Sequence, residues 1–278
     1  MAKSPATDPL ARIAGTLVLV GAGKMGSAML EGWLARKLPP RKIVVLDPQP
    51  SKAIKALGKK GVRINPKGEL EKAAVLVLAV KPQIAAETLP PLADLVGPKT
   101  LVVSIMAGRP LAFMEKALPS ATLVRAMPNT PAAIGRGITV AVPNRKLSAP
   151  VRKLAHSLLA ATGAVEWIDD ERLMDAVTAV SGSGPAYVFL MAEVLARAGT
   201  EAGLPPPLAE KLARATVAGS GELLHRSQLD PGTLRTNVTS PRGTTAAALE
   251  VLMAKDGIQP LMTRAVAAAT KRGRELAG

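Results

Sequence analysis

Cysteine is absent from this chain. Its absence excludes a disulfide framework, thiolate catalysis and zinc–thiolate sites, and it fits a reducing, cytoplasmic setting. Histidine occurs twice, as His156 and His225. Two are too few for a histidine-built metal centre, so no metal is expected; His156 reads as a structural or surface residue and His225 as a helix-end residue. Aromatic side chains are equally scarce: Trp33, Phe113, Trp167, Tyr187 and Phe189 all sit among apolar neighbours. They make no stacking platform for single-stranded nucleic acid, and neither a helix-turn-helix nor an RNA-binding signature is visible. The first 15 residues carry Lys3, Asp8 and two prolines and hold no apolar core of signal-peptide length. Residues 1–14 are therefore expected to form a disordered leader. No later stretch reads as long and uncharged enough to cross a bilayer, so no membrane partner is expected.

Positive charge, by contrast, is in surplus, with a formal net charge of +15. The basic residues are dispersed rather than clustered. That favours solubility and attraction of anionic small molecules, phosphorylated cofactors among them, over nucleic-acid binding. A length of 278 residues allows two domains of ordinary size.

The chain is organised around residues 16–26, Thr-Leu-Val-Leu-Val-Gly-Ala-Gly-Lys-Met-Gly. An apolar run without polar alternation predicts a parallel strand buried on both faces. It ends directly in a glycine motif, and Met25, Met29, Leu30, Trp33 and Leu34 then recur at helical spacing, predicting an amphipathic helix over 24–37. In this context Gly21 permits the tight turn, Gly23 lets the backbone approach a pyrophosphate, and Gly26 lets helix and strand pack closely. Lys24 and Met25 open the helix, whose free N–H groups face the anion. A second apolar strand over 42–46 closes in Asp47, about 20 residues after Gly26, the place of a ribose-binding carboxylate. Dinucleotide binding, by NADH or NADPH, follows from the whole arrangement.

Beyond Asp47 strand-like and helix-like stretches alternate. Residues 50–60 predict a short surface helix ending at Gly61; 62–64, 75–80, 101–105, 123–126 and 138–142 predict further strands. This is the pattern of a doubly wound α/β sheet of the Rossmann type, placed at 15–165, in which ligands bind beyond the carboxyl ends of the strands. Those ends carry Val80-Lys81-Pro82, Met106-Ala107-Gly108 and Met127-Pro128-Asn129-Thr130-Pro131. Lys81 could meet an anionic substrate or a cofactor ribose, or be a solvated strand-end lysine. Asn129, between two prolines that stiffen the loop, could offer its amide to nicotinamide or substrate, or be a plain turn asparagine.

Composition shifts near residue 165, strand patterns vanish from Asp169 onward, and 166–278 reads as an all-helical domain. Residues 185–202 place Tyr187, Leu190, Met191, Val194, Leu195 and Ala198 on one stripe and end at Gly203; a second helix over 208–224 is rich in alanine and glycine. Such faces invite completion by a second copy, so a homodimer or higher homo-oligomer is expected. Two hydroxyl-rich helix entries stand out, Ser181-Gly182-Ser183-Gly184-Pro185 and Val238-Thr239-Ser240-Pro241-Arg242-Gly243-Thr244-Thr245. Each alone could be a helix cap; together, beside a dinucleotide domain, they suggest hydroxyls and N–H groups gathered around a small carboxylate.

The order of six segments, Gly21–Gly26, Val80–Gln83, Ser104–Gly108, Arg125–Pro131, Ser181–Tyr187 and Ser240–Thr245, resembles the successive motifs of the pyrroline-5-carboxylate reductase family. The resemblance runs from about Thr16 to the C-terminus. It implies reduction of L-1-pyrroline-5-carboxylate to L-proline by hydride from NADPH or NADH, with an N-terminal Rossmann domain and a C-terminal helical domain that dimerises. It also implies that Thr245 bonds the ring nitrogen and that Gly243 and Thr244 hold the carboxylate, with Val238 and Ser240 beside them. Val80, Lys81, Pro82, Ala107, Gly108 and Asn129 would line the cofactor, and Lys81 would stand with Thr245 at the reacting centre. Two departures concern the substrate pocket: Arg242 replaces a glycine, and Thr236 replaces an acidic residue. Asp47 repels a 2′-phosphate and so leans toward NADH, while Lys52 and Lys55 could offset that repulsion. The alternatives are a related NAD(P)-dependent imine or hydroxyacid reductase and, further off, a basic nucleic-acid-binding protein.

Overall fold

Strands that are apolar on both faces need cover on both sides, and helices supply it here. The computed structural model describes residues 8–277. Its strands are β1 (Leu17–Val20), β2 (Ile43–Leu46), β3 (Arg63–Ile64), β4 (Val75–Leu78), β5 (Leu101–Ser104), β6 (Thr122–Met127), β7 (Gly137–Pro143) and β8 (Gly163–Trp167). They form one sheet in the order β3-β2-β1-β4-β5-β6-β7-β8. Pairing is parallel from β3 through β6, β7 runs antiparallel to β6, and β8 is parallel to β7. The order reverses between β1 and β4, where a doubly wound sheet opens its ligand crevice. β1, β4 and β5 are buried at every position. Their side chains feed two apolar clusters, one containing Leu17, Leu19, Val75 and Val77 and the other Val18, Val20, Leu76 and Leu78.

The helices that cover the sheet are α1 (Lys24–Ala35), α2 (Lys52–Ala56), α3 (Ala85–Thr88), α4 (Leu111–Ala117) and α5 (Ala149–Leu159). Met29, Leu30 and Trp33 of α1 are buried, as the spacing predicts. The Trp33 indole also donates to the Leu158 carbonyl at 2.9 Å, fastening α1 to α5. α2 continues as a 3₁₀ turn over 57–60 that ends at Gly61, whose φ of 97° lies in the left-handed region. After β8 come α6 (Met174–Val177), α7 (Gly184–Glu201), α8 (Pro206–Arg226), α9 (Pro231–Asn237), α10 (Thr244–Leu252) and α11 (Ile258–Ala277). The described chain divides into two compact units, one of residues up to 182 with those from 270 onward, the other of residues 183–269. Change from alternating to all-helical structure falls after Trp167, whereas the division between units falls after Gly182.

In the first unit an ion pair joins the buried Arg125 of β6 to the half-buried Glu171 at 2.7 Å. Glu171 also accepts the Leu111 N–H at the start of α4, at 2.8 Å. In the second unit, α7 and α8 approach closely where Gly199 faces Ala209: a Cβ added at Gly199 would lie 3.4 Å from the Ala209 Cβ. Ala209 and Ala213 are buried in that contact.

Two sequence expectations are corrected. The leader expected over 1–14 lies outside the described residues for 1–7, but from Asp8 onward it is folded. Pro9–Arg12 form a 3₁₀ turn capped by Asp8, Leu10 and Ile13 enter the core, and Asp8 pairs with Arg36 at 2.7 Å. β8, at 163–167, contradicts no expectation but was not singled out, because alternate positions are exposed and the apolar signal is thin. Finally, a helical stretch does meet the length and composition of a membrane span, Glu171–Glu201, with mean hydropathy 1.3 and a most apolar window only 6% buried. None of the apolar residues of α7 is buried within the single chain.

Candidate active site

The glycine turn is built by close backbone contact. Gly21 has φ 88°, and an added Cβ there would lie 2.7 Å from the Ala79 carbonyl oxygen. A Cβ on Gly26 would collide with the Gly21 carbonyl oxygen. The Gly21 N–H donates to the Leu46 carbonyl at 2.8 Å, and the Ser27 hydroxyl to the Ala22 carbonyl at 2.7 Å. Gly23 is different: it caps α1 without a side-chain hydrogen bond, and a Cβ there would meet nothing within 4 Å. The first turn of α1, with Lys24 and Met25, thus presents backbone N–H groups to open space, which fits the pyrophosphate of a dinucleotide.

Asp47 stands at the end of β2, as the sequence placed it, but its carboxylate is engaged by the protein itself. One oxygen accepts the Ala22 N–H at 2.6 Å and the other the Gln49 N–H at 2.8 Å. Asn65 completes the junction. Its side chain accepts the Asp47 N–H at 2.9 Å and donates to the Asp47 carbonyl at 2.7 Å, from a backbone with φ 43°. Sequence reasoning passed over Asn65; the Asn-Pro dipeptide after a short strand was the available signal, since asparagine tolerates left-handed backbone.

The remaining cofactor candidates gather at the same edge. Val80 and Pro82 are half-buried and Lys81 is exposed at the turn that follows β4. Beyond β5, Ala107 leads to Gly108, whose φ of 69° makes the turn. Arg109 joins these loops, donating to the Pro82 carbonyl at 3.0 Å with its guanidinium 4.8 Å from the Phe113 ring centre. It too was missed, since an arginine beside a proline carries no distinctive spacing. Asn129, beyond β6, accepts the Ile138 N–H at 2.9 Å. The acceptor half of its amide therefore holds the start of β7. His156 lies exposed, with the Trp167 indole N–H 3.4 Å from its Nδ1.

The substrate candidates belong to the second unit. Asp230 caps α9 by accepting the Thr233 N–H at 3.0 Å and the Thr233 hydroxyl at 2.6 Å. These bonds hold the Asp230 carboxyl below its ordinary pKa. Thr236, which replaces the acidic residue, uses its hydroxyl on the Gly232 carbonyl within the helix. Val238 is exposed. A tight turn then closes from the Gly243 N–H to the Ser240 carbonyl at 3.0 Å, with Arg242 in the left-handed region at φ 59°. The position keeps the backbone a glycine would adopt. Gly243 caps α10 with no side-chain bond, so the N–H groups of Thr244 and Thr245 lack helical partners, and the half-buried Thr245 hydroxyl stands beside them. Carboxylate recognition needs donors of this kind.

A dinucleotide-binding sheet followed by a helical unit with an uncapped, hydroxyl-bearing helix entry defines an NAD(P)-dependent oxidoreductase. Residues 171–276 match the family described as pyrroline-5-carboxylate reductase dimerisation, and residues 16–108 match that described as NADP oxidoreductase coenzyme F420-dependent. The chain is 40% identical, over 94% of its length and 97% of the other's, to the pyrroline-5-carboxylate reductase of Synechocystis sp.. Among solved structures, that of a pyrroline-5-carboxylate reductase from Coxiella burnetii matches with TM-score 0.86 and 33% identity, covering 95% of this chain and 99% of that one. A Plasmodium falciparum pyrroline carboxylate reductase with NADP bound matches with TM-score 0.78 and 27% identity, covering 96% and 99%. The chain belongs to the pyrroline-5-carboxylate reductase family, and its dimerisation domain makes it a homo-oligomer.

Proposed function

We propose that this protein reduces L-1-pyrroline-5-carboxylate to L-proline, the last step of proline biosynthesis, with NADPH or NADH as reductant. The observation that carries the reading is the uncapped first turn of α10, where the Thr244 and Thr245 N–H groups lack helical partners and Thr245 brings a hydroxyl to the same turn. A small ring bearing a carboxylate and a protonated imine nitrogen matches that set: N–H groups for the carboxylate, a hydroxyl oxygen for the N–H of the ring. The nicotinamide cofactor, when bound, supplies the hydride that the imine carbon accepts. Gly21, Gly23, Lys24, Met25 and Gly26 hold its pyrophosphate; Asp47 borders its ribose; Val80, Lys81, Pro82, Ala107, Gly108 and Asn129 take its nicotinamide half. Lys81 adds an exposed positive charge at the edge of the sheet. Val238 and Ser240 complete the wall beside Gly243.

Acceleration on this reading comes chiefly from alignment. Holding the reacting atoms about 3–3.5 Å apart turns an encounter into an intramolecular step. A helix N-terminus favours a partly buried carboxylate by up to ~2 kcal/mol, which aids binding more than turnover. No acid–base histidine is required, in keeping with a chain that has two.

The exposed apolar residues of α7, Phe189, Leu190 and Val194 among them, are covered in this reading by a second copy in a homodimer or larger assembly rather than by lipid. We place the activity in the cytoplasm, the expectation drawn from the cysteine-free composition, and read the basic surplus as attraction for anionic cofactor and substrate rather than for nucleic acid. Steady-state assays with each cofactor, and proline measured as product, test the assignment. Thr245→Ala is expected to lower kcat about 10- to 100-fold while the Kd for the dinucleotide stays within twofold; unchanged turnover would remove Thr245 from this role.

A further inference from the structure

Among the described residues, one enclosed side-chain oxygen has no hydrogen-bond partner, the hydroxyl of Ser181. Folded proteins rarely leave a shielded hydroxyl unmatched, because the group has given up water and received nothing in return. Its setting is equally uncommon. Ser181 lies in a single wide π-turn, Thr178–Gly182, between α6 and α7, a distortion that concentrates at functional sites. The neighbouring hydroxyl in the turn is already used, since Thr178 donates to the Met174 carbonyl at 2.7 Å. Ser181 alone is left over.

Position supplies the meaning. The residue after Ser181, Gly182, presses on the end of β6, where an added Cβ would lie 2.5 Å from the Met127 Cε. Met127 leads into Pro128 and Asn129 at the carboxyl edge of the sheet. Strand order runs β2, β1, β4, β5, β6, so Met127 and Asp47 lie on opposite sides of the β1–β4 reversal. With Asp47 on the adenosine-ribose side, the Met127 side belongs to the nicotinamide half of a bound dinucleotide.

We propose that Ser181 is a binding residue for the carboxamide of the nicotinamide ring. A hydroxyl both donates and accepts, and a primary carboxamide offers both complements. The oxygen is enclosed while the residue as a whole is half-buried, and on this proposal a change of staggered χ1 position brings the hydroxyl to the ring. The unmatched oxygen of the free protein is thereby matched on binding, and the π-turn is what offers this serine rather than the preceding threonine. This inference rests on the dinucleotide reading above.

Ser181→Ala separates the possibilities through binding and unfolding rather than turnover. The ligands are NADPH, NADH and their nicotinamide-free counterparts 2′-phospho-ADP-ribose and ADP-ribose, titrated against the full-length protein. If Ser181 holds the carboxamide, the ligand-free unfolding midpoint stays the same or rises, because alanine removes an oxygen that had no partner. Affinity for NADPH and NADH then falls about five- to tenfold, while affinity for the two nicotinamide-free ligands is unchanged. A lowered ligand-free midpoint with unchanged dinucleotide affinity would make Ser181 a structural residue and overturn the proposal. Equal weakening of all four ligands would overturn it as well, by locating the effect outside the nicotinamide. Failure of the wild-type protein to bind either dinucleotide would defeat the functional reading first, and this proposal with it.

Discussion

The carboxylate of Asp47 accepts the backbone N–H of Ala22 at 2.6 Å, so the residue type usually read as a cofactor selector also ties the second strand to the glycine turn. Removing it removes that tie. Asp47→Ala is expected to weaken NADH and NADPH together by about tenfold, measured as Kd, since the turn loses an acceptor and two N–H groups lose their partner. Tighter NADPH with weaker NADH would instead assign Asp47 to the ribose alone. The exposed Lys52 and Lys55 follow in α2; Lys52→Glu should lower the NADPH-to-NADH ratio of kcat/KM about two- to fivefold, the scale of an exposed charge pair.

Gly23 and Gly26 belong to one motif but carry opposite expectations. Gly26 is packed against the Gly21 carbonyl, whereas Gly23 faces open space. Gly26→Ala should therefore cost about 3 kcal/mol of stability, measured by denaturant unfolding, through overpacking against backbone. Gly23→Val should leave the unfolding midpoint near that of the wild type and abolish dinucleotide binding. A stable Gly26→Ala protein, or a Gly23→Val protein that still binds, would contradict this division.

Arg242 holds a left-handed backbone at φ 59° beside the uncapped turn of α10. Such backbone costs a non-glycine residue roughly 1–2 kcal/mol, partly offset by the greater freedom of glycine in the unfolded chain. Arg242→Gly is expected to gain about 1 kcal/mol in stability. Loss of the exposed guanidinium should raise KM for the imine carboxylate about threefold with kcat unchanged, the pattern of lost ground-state attraction. A lower KM would mean that the side chain obstructs the pocket.

How much of this was legible beforehand varies with the kind of signal. The glycine turn and Asp47 were readable because a strand buried on both faces, a glycine spacing and a helical period agree on one arrangement. β8 was not, because Gly163–Trp167 alternates between exposed and half-buried and resembles a loop as much as a strand. Leu10 and Ile13 were overlooked for a related reason: two apolar residues among prolines and charges give no period, and only the fold discloses the place they fill. The π-turn at Ser181 lay inside a motif the sequence singled out, yet a hydroxyl-rich helix entry reads the same whether its oxygens are matched or not. Nor does the apolar surface of α7 announce what covers it, since a buried core helix, a subunit face and a membrane span share one composition.

The most direct test of the account follows the hydrogen itself. With NADPH or NADH deuterated at the transferred position of C4 and L-1-pyrroline-5-carboxylate as acceptor, the proline formed should carry one deuterium on the ring carbon next to nitrogen, in amount equal to the cofactor oxidised. Cofactor oxidation without label in proline, or no proline at all from a protein that binds both ligands, would contradict direct hydride transfer to the imine and with it the assigned reaction.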